Sequence, residues 1–144
     1  MANWDKRFFE LSKNIAEWSK DRSTKVGAVI VKDNRIISTG YNGFPEGAND
    51  NMDYRHDRPL KYKWTEHAER NAIYIAARKG DSTLGATIYL QWYPCVDCAR
   101  AIIQSGIVRV VCTKPDFNDE RWGADFRITD EMFLECNIKT DYME

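Results

Sequence analysis

Residues 86–112, ATIYLQWYPCVDCARAIIQSGIVRVVC, contain two apolar segments with a short helical pattern between them. Residues 86–92 predict a strand, residues 95–105 a helix and residues 107–112 a second strand, and Gly106 ends the helix. The last segment is almost continuously apolar, which is typical of a strand buried in a parallel sheet. This order of elements favours one mixed sheet with helices on its faces.

The helix in this stretch begins with a candidate metal-binding pair, Cys95 and Cys98. Cysteines three residues apart share one face of a helix, so both thiolates can reach one ion. Pro94 suits the start of a helix because it has no N–H group. The partial positive charge of a helix N-terminus favours thiolate over thiol. On its own, however, Cys-x-x-Cys after a strand is also typical of a thioredoxin-like redox pair.

A second segment, His67-Ala68-Glu69, offers a third ligand and a carboxyl group. One His and two Cys are ligands that zinc prefers, and three protein ligands leave a fourth position open, as in catalytic zinc sites. Residues two apart do not share a helix face, so His67 must lie at the very start of a helix. We predict such a helix over residues 66–79, with Thr65 as its N-cap. His67 and Glu69 could each also be ordinary residues of a helix start.

The remaining segments complete an α/β pattern. Residues 46–64 show no clean periodicity and carry charges of both signs, which is typical of a functional or mobile loop. We predict a helix over residues 3–19 capped by Asn3, a hairpin of strands 26–31 and 35–39, a helix from Thr129 or Asp130 to Glu135, and a last strand over residues 137–142.

The length and composition of the chain are typical of a single domain, which we expect over residues 1–144. Of the 144 residues, 43% are hydrophobic and 30% are charged, and the formal net charge is −1. A charge this small argues against a nucleic acid polymer as partner, because such proteins usually carry a large basic surface. No apolar run reaches the length of a membrane span and the first residues lack a signal-peptide core, so we expect no membrane partner and a cytoplasmic location.

Three segments together resemble one family. Residues 67–73 and 94–99 carry the His-x-Glu and Pro-Cys-x-x-Cys pattern of zinc nucleobase deaminases, and residues 40–45 read Gly-Tyr-Asn-Gly-Phe-Pro. With these segments the chain is similar to deoxycytidylate (dCMP) deaminases of the zinc-dependent cytidine deaminase superfamily. The resemblance implies a three-layer α-β-α fold with a mixed five-stranded sheet and helices on both faces. It also implies hydrolytic conversion of dCMP to dUMP by a homo-oligomer, with a hexamer favoured.

The resemblance further implies roles for individual residues. His67, Cys95 and Cys98 would hold one Zn²⁺, and Glu69 would be the catalytic proton carrier. Regulation would use dCTP as activator and dTTP as inhibitor, and Mg²⁺ could accompany these triphosphates. The expected allosteric residues are Gly40, Tyr41, Asn42, Gly43 and Arg78.

The substrate also needs a binding site for its phosphate. Arg22 and Lys25, with Ser23 or Thr24 as a hydroxyl donor, are candidates because they lie on the cationic loop before the first strand. The other expected substrate-binding residues are Asn42, Ala68 and Phe117.

Three alternatives stay open at the level of the sequence. The chain could deaminate another cytosine or purine substrate instead of dCMP. It could be a non-catalytic, zinc-stabilised nucleotide-binding module, although Glu69 and the open fourth position argue against a purely structural site. It could also be a thiol redox protein, which predicts a disulfide between Cys95 and Cys98 and no bound zinc.

Overall fold

A mixed five-stranded sheet lies at the centre of the fold in the computed structural model, which describes residues 3–143. The strand order is β2-β1-β3-β4-β5. Strand β1 pairs antiparallel with β2 and β3, whereas β3 with β4 and β4 with β5 are parallel pairs. The predicted mixed sheet is therefore confirmed. The strands are β1 (Gly27–Lys32), β2 (Arg35–Tyr41), β3 (Thr87–Leu90), β4 (Arg109–Thr113) and β5 (Lys139–Met143).

Helices cover both faces of this sheet. Helix α1 packs on one face, and α3, α4 and α5 pack on the other. No helix within residues 3–143 has both the length and the apolar character needed to cross a membrane. The helices are α1 (Trp4–Ala16), α2 (Lys61–Trp64), α3 (Ala68–Lys79), α4 (Val96–Gln104) and α5 (Gly123–Glu135), with a 3-10 turn at Asp53–His56.

Strand β1 shows how the apolar pattern produces the three layers. Its central residues are all buried, and successive side chains point to opposite faces of the sheet. Ala28 and Ile30 belong to the core under α3, α4 and α5. Val29 and Val31 pack with Phe8 of α1 on the other face. The predicted three-layer α-β-α fold is therefore confirmed.

The predicted N-cap of the first helix is confirmed, although α1 ends at Ala16 and not near residue 19, whereas the predicted start of the last helix is wrong. Asn3 caps α1, because its side-chain oxygen accepts a hydrogen bond from the Lys6 N–H at 3.0 Å. The prediction that Thr129 or Asp130 caps the last helix is wrong, since α5 already begins at Gly123. The Thr129 hydroxyl is buried inside that helix and donates to the Pro94 carbonyl at 3.0 Å. It joins α5 to the start of α4 instead of starting a helix.

Gly40, in strand β2, allows α3 to lie very close to the sheet. A Cβ atom at Gly40 would lie 2.4 Å from the Ala72 nitrogen and 2.5 Å from the Ala68 oxygen. Both alanines are fully buried, so the helix backbone has no room to yield locally. The glycine is therefore a requirement of packing between β2 and the helix that begins after His67.

We expect Gly40→Ala to lower the free energy of unfolding by about 2–3 kcal/mol, because the added methyl group must push α3 off the sheet. Urea denaturation monitored by circular dichroism measures this loss. Gly43→Ala is the matched control, since a Cβ atom there would meet nothing closer than 3.9 Å. Equal losses in the two variants would contradict the packing argument.

A charged network joins α1 to strands β3, β4 and β5. The Arg109 guanidinium binds both carboxylate oxygens of Asp5, at 2.9 and 2.7 Å, and donates to Asp141 at 2.7 Å. The Tyr89 hydroxyl donates to Asp5 at 2.7 Å. The Arg109 hydrogen bonds lower the pKa of Asp5, against the opposing effect of burial. The contribution of Asp5 to the network therefore depends on its ionised form.

We expect Asp5→Asn to cost about 1 kcal/mol near neutral pH, after allowance for solvent screening of this partly exposed pair. The folded-state pKa of Asp5 lies below its ordinary value of 3.8. Its stabilisation is therefore present above pH 3.8 and is lost as the pH falls through the folded-state pKa. Denaturation midpoints of wild type and variant should converge at acid pH. Asp57→Asn is the control at an exposed position, and a pH-independent difference would contradict the ion-pair origin.

Candidate metal centre and active-site cleft

His67, Cys95 and Cys98 come together at one point in the fold. The His67 Nδ1 atom lies 3.3 Å from Cys98 Sγ and 3.5 Å from Cys95 Sγ. All three ligand atoms lie within 4.8 Å of one another. With Zn–N and Zn–S bonds of normal length, a tetrahedral zinc separates its nitrogen and sulfur ligands by about 3.6 Å. The type and spacing of the donors therefore fit a zinc ion, with Nδ1 as the histidine ligand.

Two helix N-termini hold these ligands. His67 is the N-cap residue of α3 and Cys95 is the N-cap residue of α4, and neither side chain makes a capping hydrogen bond. Both side chains are therefore free for an ion, which argues against His67 as an ordinary cap. The prediction that His67 lies at a helix start is confirmed. Thr65 is not the N-cap, because it is the C-cap residue of the short helix α2 that precedes this turn.

The protonation of the two thiols differs because they lie side by side. A hydrogen bond with Cys98 lowers the pKa of Cys95 to about 4 against the effect of burial, and His67 lowers it further. The same contact and burial raise the pKa of Cys98. The hydrogen bond with Cys95 raises the pKa of His67. The cluster therefore holds one thiolate readily, and a second thiolate needs the charge of a cation beside it.

Glu69 lies in the first turn of α3, next to the ligand cluster. Its side chain is buried, with the residue 5% exposed. Burial raises the pKa of Glu69, and this effect exceeds the opposing effects of His67 and a hydrogen bond with Cys98. A carboxyl group whose pKa is raised by burial returns a proton less reluctantly than an exposed one, and such groups serve as proton carriers in enzymes. Glu69 therefore has the placement and chemistry of a proton carrier.

The cluster opens into a cleft of about 460 Å³, a size typical of small-molecule sites. Two of the predicted substrate-binding residues, Asn42 and Ala68, line this cleft. The Asn42 side-chain oxygen accepts from the Val26 N–H at 2.9 Å, and its NH₂ group donates to the Thr24 carbonyl at 2.8 Å. The amide is thus fixed by the chain before β1. It retains one donor and one acceptor position for a ligand.

The other predicted substrate-binding residues lie outside the lining of the cleft. Arg22 is exposed and pairs with Asp53 at 2.7 Å. Ser23 and Lys25 are also exposed, and Phe117 packs against the main core. In the loop before β1, the residues that do line the cleft are Thr24, the alternative hydroxyl donor, and its neighbours Asp21 and Val26. The assignment of Arg22, Ser23, Lys25 and Phe117 to substrate binding therefore stays a prediction that the geometry does not favour.

Sequence reasoning missed most of the polar residues that line the cleft. Several lie in the charged segment just before His67, where proximity in sequence to that histidine is the one available signal. Others follow β4 and reach the cleft only because α5 packs beside α4. The missed residues include Arg58, Lys61 and Tyr62 before His67, Arg70 within α3, and Arg121 and Trp122 after β4.

A second cavity, of about 690 Å³, lies on the other side of residues 41–43. Four of the predicted allosteric residues, Gly40, Tyr41, Gly43 and Arg78, line it, whereas Asn42 lines the metal cleft. Gly43 and Glu66 exchange two backbone hydrogen bonds, at 3.1 and 2.8 Å. The cavity is therefore joined through backbone to the residue that precedes His67.

Known proteins resemble this chain in sequence and in fold. The family model described as cytidine and deoxycytidylate deaminase zinc-binding region matches residues 2–114. An uncharacterized deaminase in the luxG 3′ region of Aliivibrio fischeri is 41% identical, over 99% of this chain and 95% of that protein. The deoxycytidylate deaminase of Enterobacteria phage T4 is 38% identical, over 75% of this chain and 77% of its own. The dCMP deaminase of cyanophage S-TIM5, in complex with dCMP and dUMP, has a similar fold, with a TM-score of 0.76, 24% identity and coverage of 96% and 95%.

Proposed function

Because the chain belongs to the cytidine and deoxycytidylate deaminase family of zinc-dependent hydrolases, we propose that it converts dCMP and water to dUMP and ammonia. The observation that carries this proposal is the buried Glu69 beside the His67, Cys95 and Cys98 cluster, at the base of a cleft for a small molecule. The deoxycytidylate deaminase from phage T4, at 38% identity, supports dCMP over other amines.

The ligand cluster would hold a single zinc ion through His67 Nδ1 and the two thiolates. When bound, zinc lowers the pKa of a coordinated water to near neutral and so supplies the nucleophile at physiological pH. The two thiolates offset the charge of the ion, which leaves Glu69 free of a ligand role. The N-termini of α3 and α4 add partial positive charge that favours the ionised ligands.

Glu69 carries out the proton transfers of this reaction. It accepts a proton from the attacking water and gives it to N3 of the cytosine ring, so that oxygen can add at C4. It then moves the remaining hydroxyl proton to the 4-amino group, which leaves as ammonia while the C4 carbonyl forms. One water is consumed, one C–N bond is broken, and Glu69 ends in its starting state. The Asn42 amide, fixed by the backbone, orients the nucleotide through its free donor and acceptor.

The test is the loss of ultraviolet absorbance when zinc-loaded protein acts on dCMP, with cytidine and guanine as competing amines. We expect dUMP and ammonia in equal amounts and the highest kcat/KM for dCMP. Turnover of guanine or cytidine without dCMP would overturn the substrate but leave the deaminase chemistry. Zinc binding without any turnover would favour a non-catalytic nucleotide-binding module.

We also propose that dCTP activates the enzyme and dTTP inhibits it at the second cavity, each with Mg²⁺ on its phosphates. Support comes from the position of this cavity, because Tyr41 and Gly43 line it while Asn42 between them lines the cleft. A ligand that shifts this turn would move Asn42 and, through Glu66, the start of α3. Arg78, which pairs with Glu46 at the cavity, is the candidate cation for a triphosphate.

Initial rates with added dCTP or dTTP, each with and without Mg²⁺, test this regulation. We expect dCTP to lower the dCMP concentration that gives half-maximal rate, and Arg78→Ala to weaken that response without changing the effector-free rate. Identical rates with and without both effectors would contradict the proposed regulation but not the catalytic proposal.

We also propose that the protein is a homo-oligomer, with a hexamer favoured. Sedimentation equilibrium tests this assembly.

A further inference from the structure

Two arginines meet at one phenolic oxygen in the metal cleft. Arg58 Nε donates to the Tyr62 hydroxyl at 2.7 Å, and Arg121 Nη2 donates to the same oxygen at 2.6 Å. Arg58 and Tyr62 belong to the segment that leads into α3, whereas Arg121 lies just before α5. The fold therefore brings two positive charges together from distant parts of the chain.

The other cations of the cleft already have carboxylate partners. Lys61 lies 3.3 Å from Asp21, and Arg70 lies 2.6 Å from Glu66. Both ion pairs are largely buried, and Lys61 and Arg70 line the cleft. Their charge is therefore neutralised before any ligand binds.

Arg58 and Arg121 differ from these cations, because neither has a carboxylate within ion-pair distance across residues 3–143. Asp125 also lines the cleft but pairs with neither arginine in that part of the chain. Two adjacent, uncompensated guanidinium groups repel each other and favour an anion between them. This pair is the uncompensated positive charge of the cleft.

The group also has the hydrogen-bonding character of an oxyanion site. Guanidinium groups only donate hydrogen bonds, and the Tyr62 oxygen, which accepts from both, still has its own O–H to donate. Partial desolvation acts to raise the pKa of Tyr62, but the hydrogen bonds from Arg58 and Arg121 outweigh it and lower the pKa. The Arg121 guanidinium lies 5.0 Å from the centre of the Trp122 ring, which orients its planar face. All free polar positions of the group are thus donors.

We propose that Arg58, Tyr62 and Arg121 form the subsite for the 5′-phosphate of the nucleotide. The inference rests on the proposed function for the identity of the base, which would lie at Glu69 in the same cleft. It replaces Arg22 and Lys25 as the phosphate-binding cations. Arg58 and Arg121 contact the phosphate, and Tyr62 is a positioning residue that holds the two guanidinium groups together.

Substrates with and without phosphate test this subsite in the zinc-loaded enzyme. We expect Arg58→Gln and Arg121→Gln each to lower kcat/KM for dCMP about 10-fold, the value of one charge-assisted hydrogen bond, and to leave kcat/KM for deoxycytidine within about 2-fold. Arg35→Gln, on the exposed hairpin, is the charge-matched control. Tyr62→Phe should raise KM for dCMP but not for deoxycytidine, and kcat should stay constant.

Equal losses for dCMP and deoxycytidine would overturn the proposal, because they would indicate a structural role. A selective loss of dCMP activity in Arg22→Gln, with Arg58→Gln and Arg121→Gln unchanged, would also overturn it and return the phosphate to the loop before β1.

A binding measurement separates this inference from the proposed reaction. Isothermal titration of dUMP, deoxyuridine and inorganic phosphate into the zinc-loaded protein requires no turnover. We expect the Arg58→Gln/Arg121→Gln double variant to bind dUMP at least 10-fold more weakly than wild type and deoxyuridine equally well. This result without any deamination of dCMP would support the subsite and reject the proposed reaction. Unchanged dUMP affinity would overturn the subsite whatever the enzyme deaminates.

Discussion

Glu69→Gln is expected to lower kcat for dCMP by a factor on the order of 10²–10⁴, the usual contribution of a positioned general acid–base. The amide has nearly the shape of the carboxyl group but cannot take up and release a proton. Glu69 is 5% exposed and lies against Cys98, so the neutral amide fits a site in which burial already raises the carboxyl pKa. The fold and the metal ligands should therefore remain intact. Absorbance assays give kcat, and atomic absorption gives the zinc content per chain.

Two comparisons identify the origin of that loss. Glu131→Gln makes the same chemical change on the exposed surface of α5 and should leave kcat unchanged. The Glu69 variant should also bind dUMP with about wild-type affinity, because the carboxyl group acts on the reacting atoms and not on the phosphate or sugar. If Glu69→Gln loses its zinc, the carboxyl group has a role in metal binding. If it retains full kcat, the proposed proton carrier is wrong.

The metal cluster could be predicted from sequence because its geometry is set locally. The spacing of Cys95 and Cys98 is fixed by the start of α4, and the spacing of His67 and Glu69 by the start of α3. Each pair needs only a helix N-terminus, which Pro94 and the hydrophobic periodicity indicate. One contact between the two helix starts then completes the site.

The start of α5 could not be predicted in this way. Gly123 looks like a helix breaker in a sequence, yet it is the first residue of α5. A Cβ atom at this position would lie 2.5 Å from the Phe117 carbonyl oxygen. The glycine is there because the preceding loop passes close to the helix, and a contact of that kind has no local signature.

The proposed phosphate subsite shows the same limit for the prediction of function. The cluster of cations before β1 favours Arg22 and Lys25, but Asp53 and Glu17 pair with them at the surface. Arg58 and Arg121, by contrast, have no carboxylate partner within residues 3–143, which sets them apart from the other cations of the cleft. This property depends on tertiary contacts between the segment before α3 and the residues before α5. The distribution of charge along the sequence therefore could not show which cations are available to bind the phosphate.

Cys98→Ser is expected to reduce bound zinc from about one ion per chain to a small fraction and to abolish turnover. Serine has nearly the size of cysteine, so the fully buried position can accommodate it. Its hydroxyl group, however, does not ionise near neutral pH and is a poor zinc ligand. Cys136→Ser is the matched control, because that thiol is exposed and remote from the cluster. Atomic absorption and the dCMP assay measure both effects.

Cys98→Ser also shows how much of the stability of the protein comes from the bound metal. Zinc at 100 times its Kd adds about 2.7 kcal/mol to the free energy of unfolding when it binds only the native state. A chelator should therefore lower the Tm of wild type and of Cys136→Ser but leave that of Cys98→Ser unchanged. If the chelator shifts no Tm and mass spectrometry detects a Cys95–Cys98 disulfide, the pair is a redox centre. A chelator-dependent shift that disappears only when Cys98 is replaced requires an ion held by that thiolate, since a disulfide would not respond to chelation.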